Sequence, residues 1–346
     1  MRREVVLVTG ALGEMGHGLI TYLGQNEKVN IVALDVQPID EELKPYCMKF
    51  IQGDILDMML LGRLVAEFEI CTIYHLASLL STKAEYIPET AHKVNVEGTL
   101  NLLRLAVEQS QWQGRSVKFI YPSSIAAYGI PDLTTKNSIG PVSEYQFLTP
   151  ITMYGCNKLY CEHLGRYYSQ HYRQLAADRD KNTIDFRCIR FPGLISADTI
   201  PTGGTSDYGP EMLHHAAQGL AYNCFVRPDT KLPFMVMKDA IKSLLMLEKA
   251  PKNRLNQLIY NVTSFSISAQ KIYDIVKTAF PEAAISFNPH PSRQRIVDSW
   301  PAEIDDSASR KDWKWVPDYD EEKAFSDYLI PAIKKRYPRP SYSYNS

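Results

Sequence analysis

Tyr154 and Lys158 stand four residues apart, and on a helix that spacing puts both side chains on one face. A free phenol titrates at about 10 and a neighbouring ammonium favours its ionised form, so the pair predicts a tyrosine that takes up a proton near neutral pH. The same spacing is common on surface helices and carries weight only in company. Company comes from Pro122-Ser123-Ser124, which follows the strand-like run Val117 to Tyr121. Open α/β sheets hold ligands beyond the carboxyl ends of their strands, which suits Ser124 as a polar group at a reacting oxygen and leaves Ser123 as the second choice.

These groups need a frame, and the first strand supplies it. Val5 to Val8 is the apolar run of a strand buried on both faces, followed at once by Thr9 and then by Gly10, Gly13 and Gly16. Glycines at that spacing close a tight turn, let backbone approach a pyrophosphate and let helix pack on strand, while the helix start offers N–H groups to an anion. Val29 to Leu34 reads as the second strand and ends in Asp35, where a dinucleotide fold places the acid that binds ribose hydroxyls. That carboxylate repels a ribose phosphate and no arginine stands beside it, so NAD is expected rather than NADP.

A third strand at Cys47 to Gln52 leads into Gly53-Asp54-Ile55, expected to face the adenine, and a fourth at Thr72 to Leu76 leads into the small residues Ala77 and Ser78. His75 is expected to pack within that strand, since nothing with metal-ligand spacing accompanies it. Pro88 to Gln109 reads as one long helix containing Asn95, and Ile130 to Pro150 as a long polar loop near the site. The alternation predicts a Rossmann-type doubly wound parallel sheet over residues 1–190, carrying Tyr154 and Lys158. A smaller, discontinuous substrate region over 191–333 follows, with helices near 209–219, 238–249 and 268–280, a strand near 257–262 and segments returning to the main sheet. The tail 334–346 is expected to fray.

Composition narrows the partner. Among 346 residues, 38 Lys and Arg face 39 Asp and Glu, and a net charge of -1 gives no general attraction to nucleic acid or an anionic membrane. No apolar run is long enough to span a bilayer, and six cysteines lack C-x-x-C spacing, so a cytoplasmic, reduced protein without structural zinc and with a small-molecule partner is expected. Asp229, Lys231 and Asp239 read as solvated or structural charges.

TGALGEMG, Asp35, GDI, YHLAS, NVEGT, YPSS, YGCNK and MVMKDA occur in that order across nearly the whole chain. In that order they resemble the extended short-chain dehydrogenase/reductases. The resemblance implies Tyr154 as general base, Lys158 as the group that holds the nicotinamide ribose and depresses the tyrosine pKa, and Ser124 at the reacting oxygen. It further implies an NAD site lined by Gly10, Gly13, Glu14, Met15, Gly16, Asp35, Asp54, Ile55, Leu76, Ala77, Ser78 and Asn95, together with Tyr154 and Lys158. RFPGLIS, GGTSDY and CFVRPDTKLPFMVMKDAI look like the short-chain type of L-threonine 3-dehydrogenase. That likeness implies NAD-dependent oxidation of the L-threonine 3-hydroxyl to 2-amino-3-oxobutyrate, with Ser81, Ser124, Tyr154, Gly193, Thr205 and Ser206 around the substrate. A Gly-Gly-Thr-Ser loop agrees, offering a small zwitterion short hydroxyl and backbone donors.

Such relatives dimerise through a bundle that includes the Tyr154 helix, which implies a homodimer. Nucleotide-sugar epimerases of the same family usually carry an Asn after the sixth strand, where this chain has Pro192. A non-catalytic NAD-binding sensor usually lacks the tyrosine or lysine, and both stand here. The departures from the family pattern are the long 130–150 segment, an added polar loop from Gln174 to Asn182, and the aromatics Tyr160, Tyr167, Tyr168 and Tyr172 along the Tyr154 helix.

Overall fold

The computed structural model describes residues 2–177, 183–201 and 203–338. Its strands are β1 (Arg3–Thr9), β2 (Ile31–Asp35), β3 (Lys49–Gln52), β4 (Phe68–His75), β5 (Lys118–Ser124), β6 (Asp185–Phe191), β7 (Gly193–Ile195), β8 (Tyr222–Cys224), β9 (Lys231–Val236), β10 (Ile259–Asn261), β11 (Phe265–Ser268) and β12 (Ile285–Phe287). Seven of them form one parallel sheet in the order β10-β6-β5-β4-β1-β2-β3. The chain winds outward from β1 to β3 and then returns beside β1 with β4. A crevice therefore opens beyond the carboxyl ends of β1 and β4, the place where doubly wound sheets bind ligands.

Helices cover both faces, which is why β1 is an unbroken apolar run rather than an alternating one. Val5 and Leu7 belong to a cluster with Leu61, Leu64, Leu102 and Leu103, whereas Val6 and Val8 join Leu19, Ile20, Leu23, Leu244 and Leu247 on the opposite face. The expected Pro88–Gln109 helix is real but not uniform. It runs as Pro88–His92, a wider π turn at Lys93–Glu97, and Gly98–Gln113, ended by Gly114 in the left-handed region at φ 67°. One extra residue in a turn carries Asn95 into the protein, where it is 2% exposed. The other strand limits move by a few residues, and β5 extends to Ser124.

Beyond β6 a second core forms around Tyr208, Met212, Phe225, Phe234, Ile272 and Phe325. It is framed by a three-stranded sheet in the order β11-β9-β7, the pair β12-β8, and helices Tyr208–Gln218 and Ala269–Ala279 near their expected positions, while the expected helix Met237–Lys249 packs on the main sheet instead. β10 returns to the edge of the main sheet. The expected 130–150 loop contains a short helix, Leu133–Ser138, because Asp132 accepts the Thr135 amide at 2.8 Å as an N-cap. The first residues of the expected tail are ordered: Lys334 to Arg336 end the helix Ile330–Arg336, and the Tyr337 hydroxyl lies 3.0 Å from His214 Nδ1. Residues 339–346, and 178–182 of the added loop, lie outside the described residues. Asp239 is structural, accepting the Asp318 and Tyr319 amides at 2.9 and 3.1 Å. All six cysteines are unpaired, and among the described residues no helix is long and apolar enough to cross a membrane.

The helix Met153–Arg166 starts where Thr152 caps the Gly155 amide at 3.0 Å, and it is tied to the sheet by a buried ion pair. Arg190 of β6 grips Glu162 through Nε at 2.8 Å and Nη2 at 2.6 Å, while Ser123 of β5 donates to the same carboxylate at 2.6 Å. Both charged side chains are 2% exposed. Removing one partner strands the other charge in the interior. The variant E162A is expected to lose about 3–5 kcal/mol of stability in urea unfolding, a range set by broken buried pairs; a loss below about 1 kcal/mol, as for an exposed pair, would refute this role.

Candidate active site

Gly10 follows β1 directly, with its amide on Leu34 O at 3.0 Å and a φ of 68°. A Cβ there would sit 2.5 Å from the backbone nitrogen of Ala77, so the turns after β1 and β4 touch through glycine alone. A Cβ on Gly16 would lie 2.3 Å from Gly10 O, which keeps helix Glu14–Asn26 close under the turn. Gly13 is less enclosed: a Cβ would meet Gly10 O tightly at 3.3 Å and no other atom within 4 Å. Gly13 is the N-cap and no side chain caps the helix, which leaves its first-turn N–H groups without a side-chain acceptor, as an anion site requires. Asp35, half-buried at the end of β2, accepts the Leu12 amide at 2.9 Å and the Gln37 amide at 3.0 Å. A cradle open in front of Gly13 and an acid at the second strand fit a dinucleotide.

Asp54 is exposed and accepts the Leu56 amide at 2.9 Å, while Ile55 is buried against Gly98. Leu76 extends the β4 ladder by donating to Thr9 O at 3.0 Å. The next turn is held by Asn95, whose Oδ1 accepts from Leu79 N at 2.7 Å and Ser78 Oγ at 3.1 Å and whose Nδ2 donates to Leu79 O at 3.0 Å. Met15 packs on the core side of its helix. Glu14 instead points to the segment that follows β7, accepting a hydrogen bond from Thr199 Oγ1. Burial raises its pKa, opposed by that bond and reinforced by the carboxylates of Asp207 and Asp198.

Tyr154 and Lys158 share a face as the spacing predicts, with Lys158 Nζ 5.4 Å from the centre of the Tyr154 ring. Nζ donates to Pro122 O at 2.7 Å and lies 4.7 Å from the Tyr121 ring centre, which pins the helix to the end of β5. Burial pushes the Lys158 amine down to about 8. It pushes the Tyr154 phenol up, the reverse of the shift expected from the sequence, because enclosure disfavours an anion. Ser124 Oγ accepts the Ala126 amide at 3.1 Å, so its own proton is free to donate. Ser123 is committed to Glu162 and is 3% exposed.

Ser81, on the short helix Ser81–Tyr86, accepts from both the amide and the hydroxyl of Thr205, at 3.3 and 3.0 Å. Glu85 of the same helix accepts the amide of Met153 at 2.8 Å, which brings this pair to the start of the Tyr154 helix. Ser206 is half-buried in the same loop. Gly193 is a packing position of β7, where a Cβ would lie 2.7 Å from the Phe234 ring. Sequence reasoning missed Arg293, whose Nη2 holds Gly204 O at 3.0 Å while its guanidinium lies 3.2 Å from the Phe225 ring centre. It also missed Glu162 and Arg190. Charges inside a strand buried along its whole length were the available signal for Arg190, since Asp185 can pair with only one of the two arginines of β6, and the polar helix Pro291–Asp298 offered none for Arg293.

Comparison with known proteins agrees with this geometry. The model of the NAD dependent epimerase/dehydratase family matches residues 6–263. The mitochondrial L-threonine 3-dehydrogenase of Bos taurus is 34% identical over 319 residues, 92% of this chain and 80% of its own. The crystal structure of L-threonine dehydrogenase from Phytophthora infestans aligns with a TM-score of 0.82 at 34% identity, covering 96% of this chain and 99% of that one. L-threonine 3-dehydrogenase from Trypanosoma brucei gives 0.82 at 31% identity, covering 97% and 98%. The chain belongs to the NAD dependent epimerase/dehydratase family, that is, to the extended short-chain dehydrogenase/reductases.

Proposed function

We propose that this protein oxidises the 3-hydroxyl of L-threonine with NAD, giving 2-amino-3-oxobutyrate. The observation that carries the reading is the Ser81–Thr205 hydrogen-bonded pair at the head of the helix bearing Tyr154 and Lys158, in a chain similar along its length to threonine dehydrogenases. Gly10, Gly13, Gly16, Asp35 and Asn95 would hold NAD, which when bound supplies a two-electron acceptor and a positive ring.

The chain's own residues do the rest. Tyr154 receives the hydroxyl proton at its phenolate oxygen, and Ser124 donates its free proton to the same substrate oxygen, fixing the alcohol for transfer. Lys158 spends one N–H on Pro122 O and keeps two for the ribose and for stabilising the phenolate. Ser81 accepts two hydrogen bonds from Thr205 and so has its own proton to offer a carboxylate, which suits the polar end of an amino acid. Asp35 favours NAD over its 2′-phosphorylated form by charge repulsion.

The direct test mixes the purified chain with NAD and L-threonine and follows NADH absorbance; no NADH, or turnover of a UDP-sugar instead, would overturn the reading. Y154F is expected to lower kcat/KM by about 10²- to 10⁴-fold, the usual contribution of a positioned base, with NADH affinity little changed. T205A and S81A are expected to raise KM for threonine more than they lower kcat, since they remove groups that bind but do not react.

The pH dependence has a definite sign. Tyr154 acts deprotonated and burial raises its pKa, so kcat/KM climbs toward alkaline pH. K158M removes the cation that favours the phenolate, which moves the rising limb to higher pH; an unmoved limb would separate Lys158 from the ionisation of Tyr154.

A further inference from the structure

We infer that His75 is a positioning residue for the dinucleotide cradle, holding the Ala77–Leu79 turn against Gly10 through Thr99 and Asn95. This rests on the reading of the Gly10–Gly16 turn as the NAD site. His75 is the last residue of β4, registered opposite Thr9 of β1 and 1% exposed. One step further the ladder ends at Leu76 N to Thr9 O, and the two strand ends are left to side chains.

The hydrogen-bond chain has only one direction. Thr99 Oγ1 lies 2.5 Å from Asn95 O, and since a hydroxyl carries a single proton, that bond uses it. His75 Nε2, 2.8 Å from Thr99 Oγ1, must therefore donate. In a neutral ring its Nδ1, 2.9 Å from Thr9 Oγ1, then accepts. Of the two neutral tautomers only Nε2–H satisfies every partner. The groups packed around the ring are Phe119 and Tyr121, each with its ring centre at 5.9 Å, and the Lys158 ammonium. Burial and that cation hold the imidazole pKa down to about 3.

From Asn95 the chain branches. The side-chain amide clamps Ser78 and Leu79, the turn that Gly10 touches, and the backbone carbonyl accepts Cys161 Sγ at 3.3 Å from the helix that carries Tyr154 and Lys158. A residue kept for packing alone would not need two buried hydrogen bonds, and an apolar ring avoids their desolvation. What the imidazole adds is a donor and an acceptor on opposite edges, joining β1 to the π turn at Asn95 across the crevice.

Two measurements test this. Nitrogen-15 NMR of the histidine rings in the cofactor-free chain, with the His75 signal assigned by its loss in H75Q, is expected to show one neutral Nε2–H ring from about pH 5 to about pH 9. An Nδ1–H ring, or titration inside that interval, would overturn the assignment. NADH binding followed by fluorescence is expected to weaken about tenfold in H75F and in T99V, roughly what loss of a buried hydrogen bond confers. H75Q retains a donor for Thr99 and should stay within about threefold, whereas H75N reaches only toward Thr9 and should resemble H75F. Equal affinity in T99V and the unaltered chain would overturn the proposal. Failure of the unaltered chain to bind NADH would overturn the cofactor reading instead, a distinction the cofactor-free NMR experiment keeps visible.

Discussion

The buried pair between Glu162 and Arg190 is the constraint on which the site geometry depends. Glu162 lies about one helical turn beyond Lys158, as Lys158 does beyond Tyr154, so whatever holds it also holds Tyr154 and Lys158 at their distance from the sheet. The desolvation of two charges is offset only by close geometry and full satisfaction of the remaining polar atoms. Both conditions are met. Ser123 takes one carboxylate lone pair, the third arm of Arg190 reaches Glu144 O at 2.7 Å, and the guanidinium lies 4.9 Å from the Tyr128 ring centre. Glu144 in turn accepts Asn261 N at 2.9 Å, and Asn261 accepts the Tyr128 hydroxyl at 2.8 Å. The network thereby ties β5, β6, β10 and the 130–150 segment to one helix, and it leaves Ser124, the next residue after the committed Ser123, with an unused proton at the crevice.

Two halves of the chain meet at the crevice, and each contributes a different kind of group. The first half supplies backbone: glycine turns that approach within the volume of a Cβ, and an uncapped helix start. The second supplies short side chains on a loop braced from behind. Gly204 is held at both ends, its amide by Asp207 at 2.6 Å and its carbonyl by Arg293, and Thr205 follows with both donors directed at Ser81. Phosphate needs many N–H groups converging on one point, whereas a small amino acid needs a few oriented hydroxyls. The division of labour follows from that difference in ligand chemistry.

Much of this was legible in the residues themselves. The glycine turn, Asp35, and the Tyr154–Lys158 pair each follow from local rules: a turn that only glycine can make, a carboxylate at a strand end, two side chains on one helical face. Ser81 and Thr205, far apart in the chain, were named only through resemblance, and their contact depends on how the second core seats its loop. The π turn at Lys93–Glu97 was invisible because its apolar spacing is nearly that of an ordinary helix. The helix Pro291–Asp298 was missed because it buries only Gln294 and Val297, too little for an apolar period.

The direction of the tyrosine shift marks the boundary between the two kinds of knowledge. Spacing along the chain determined which side chains share a face and which turns admit a phosphate, because those properties depend on backbone geometry repeated every few residues. Only the tertiary structure decided that Tyr154 is enclosed enough for its pKa to rise, that Lys158 gives a hydrogen bond to Pro122, that Ser123 is spoken for, and that Arg293 braces the Thr205 loop. Those outcomes depend on desolvation and on partners brought in from distant segments, quantities that no local pattern of residues contains.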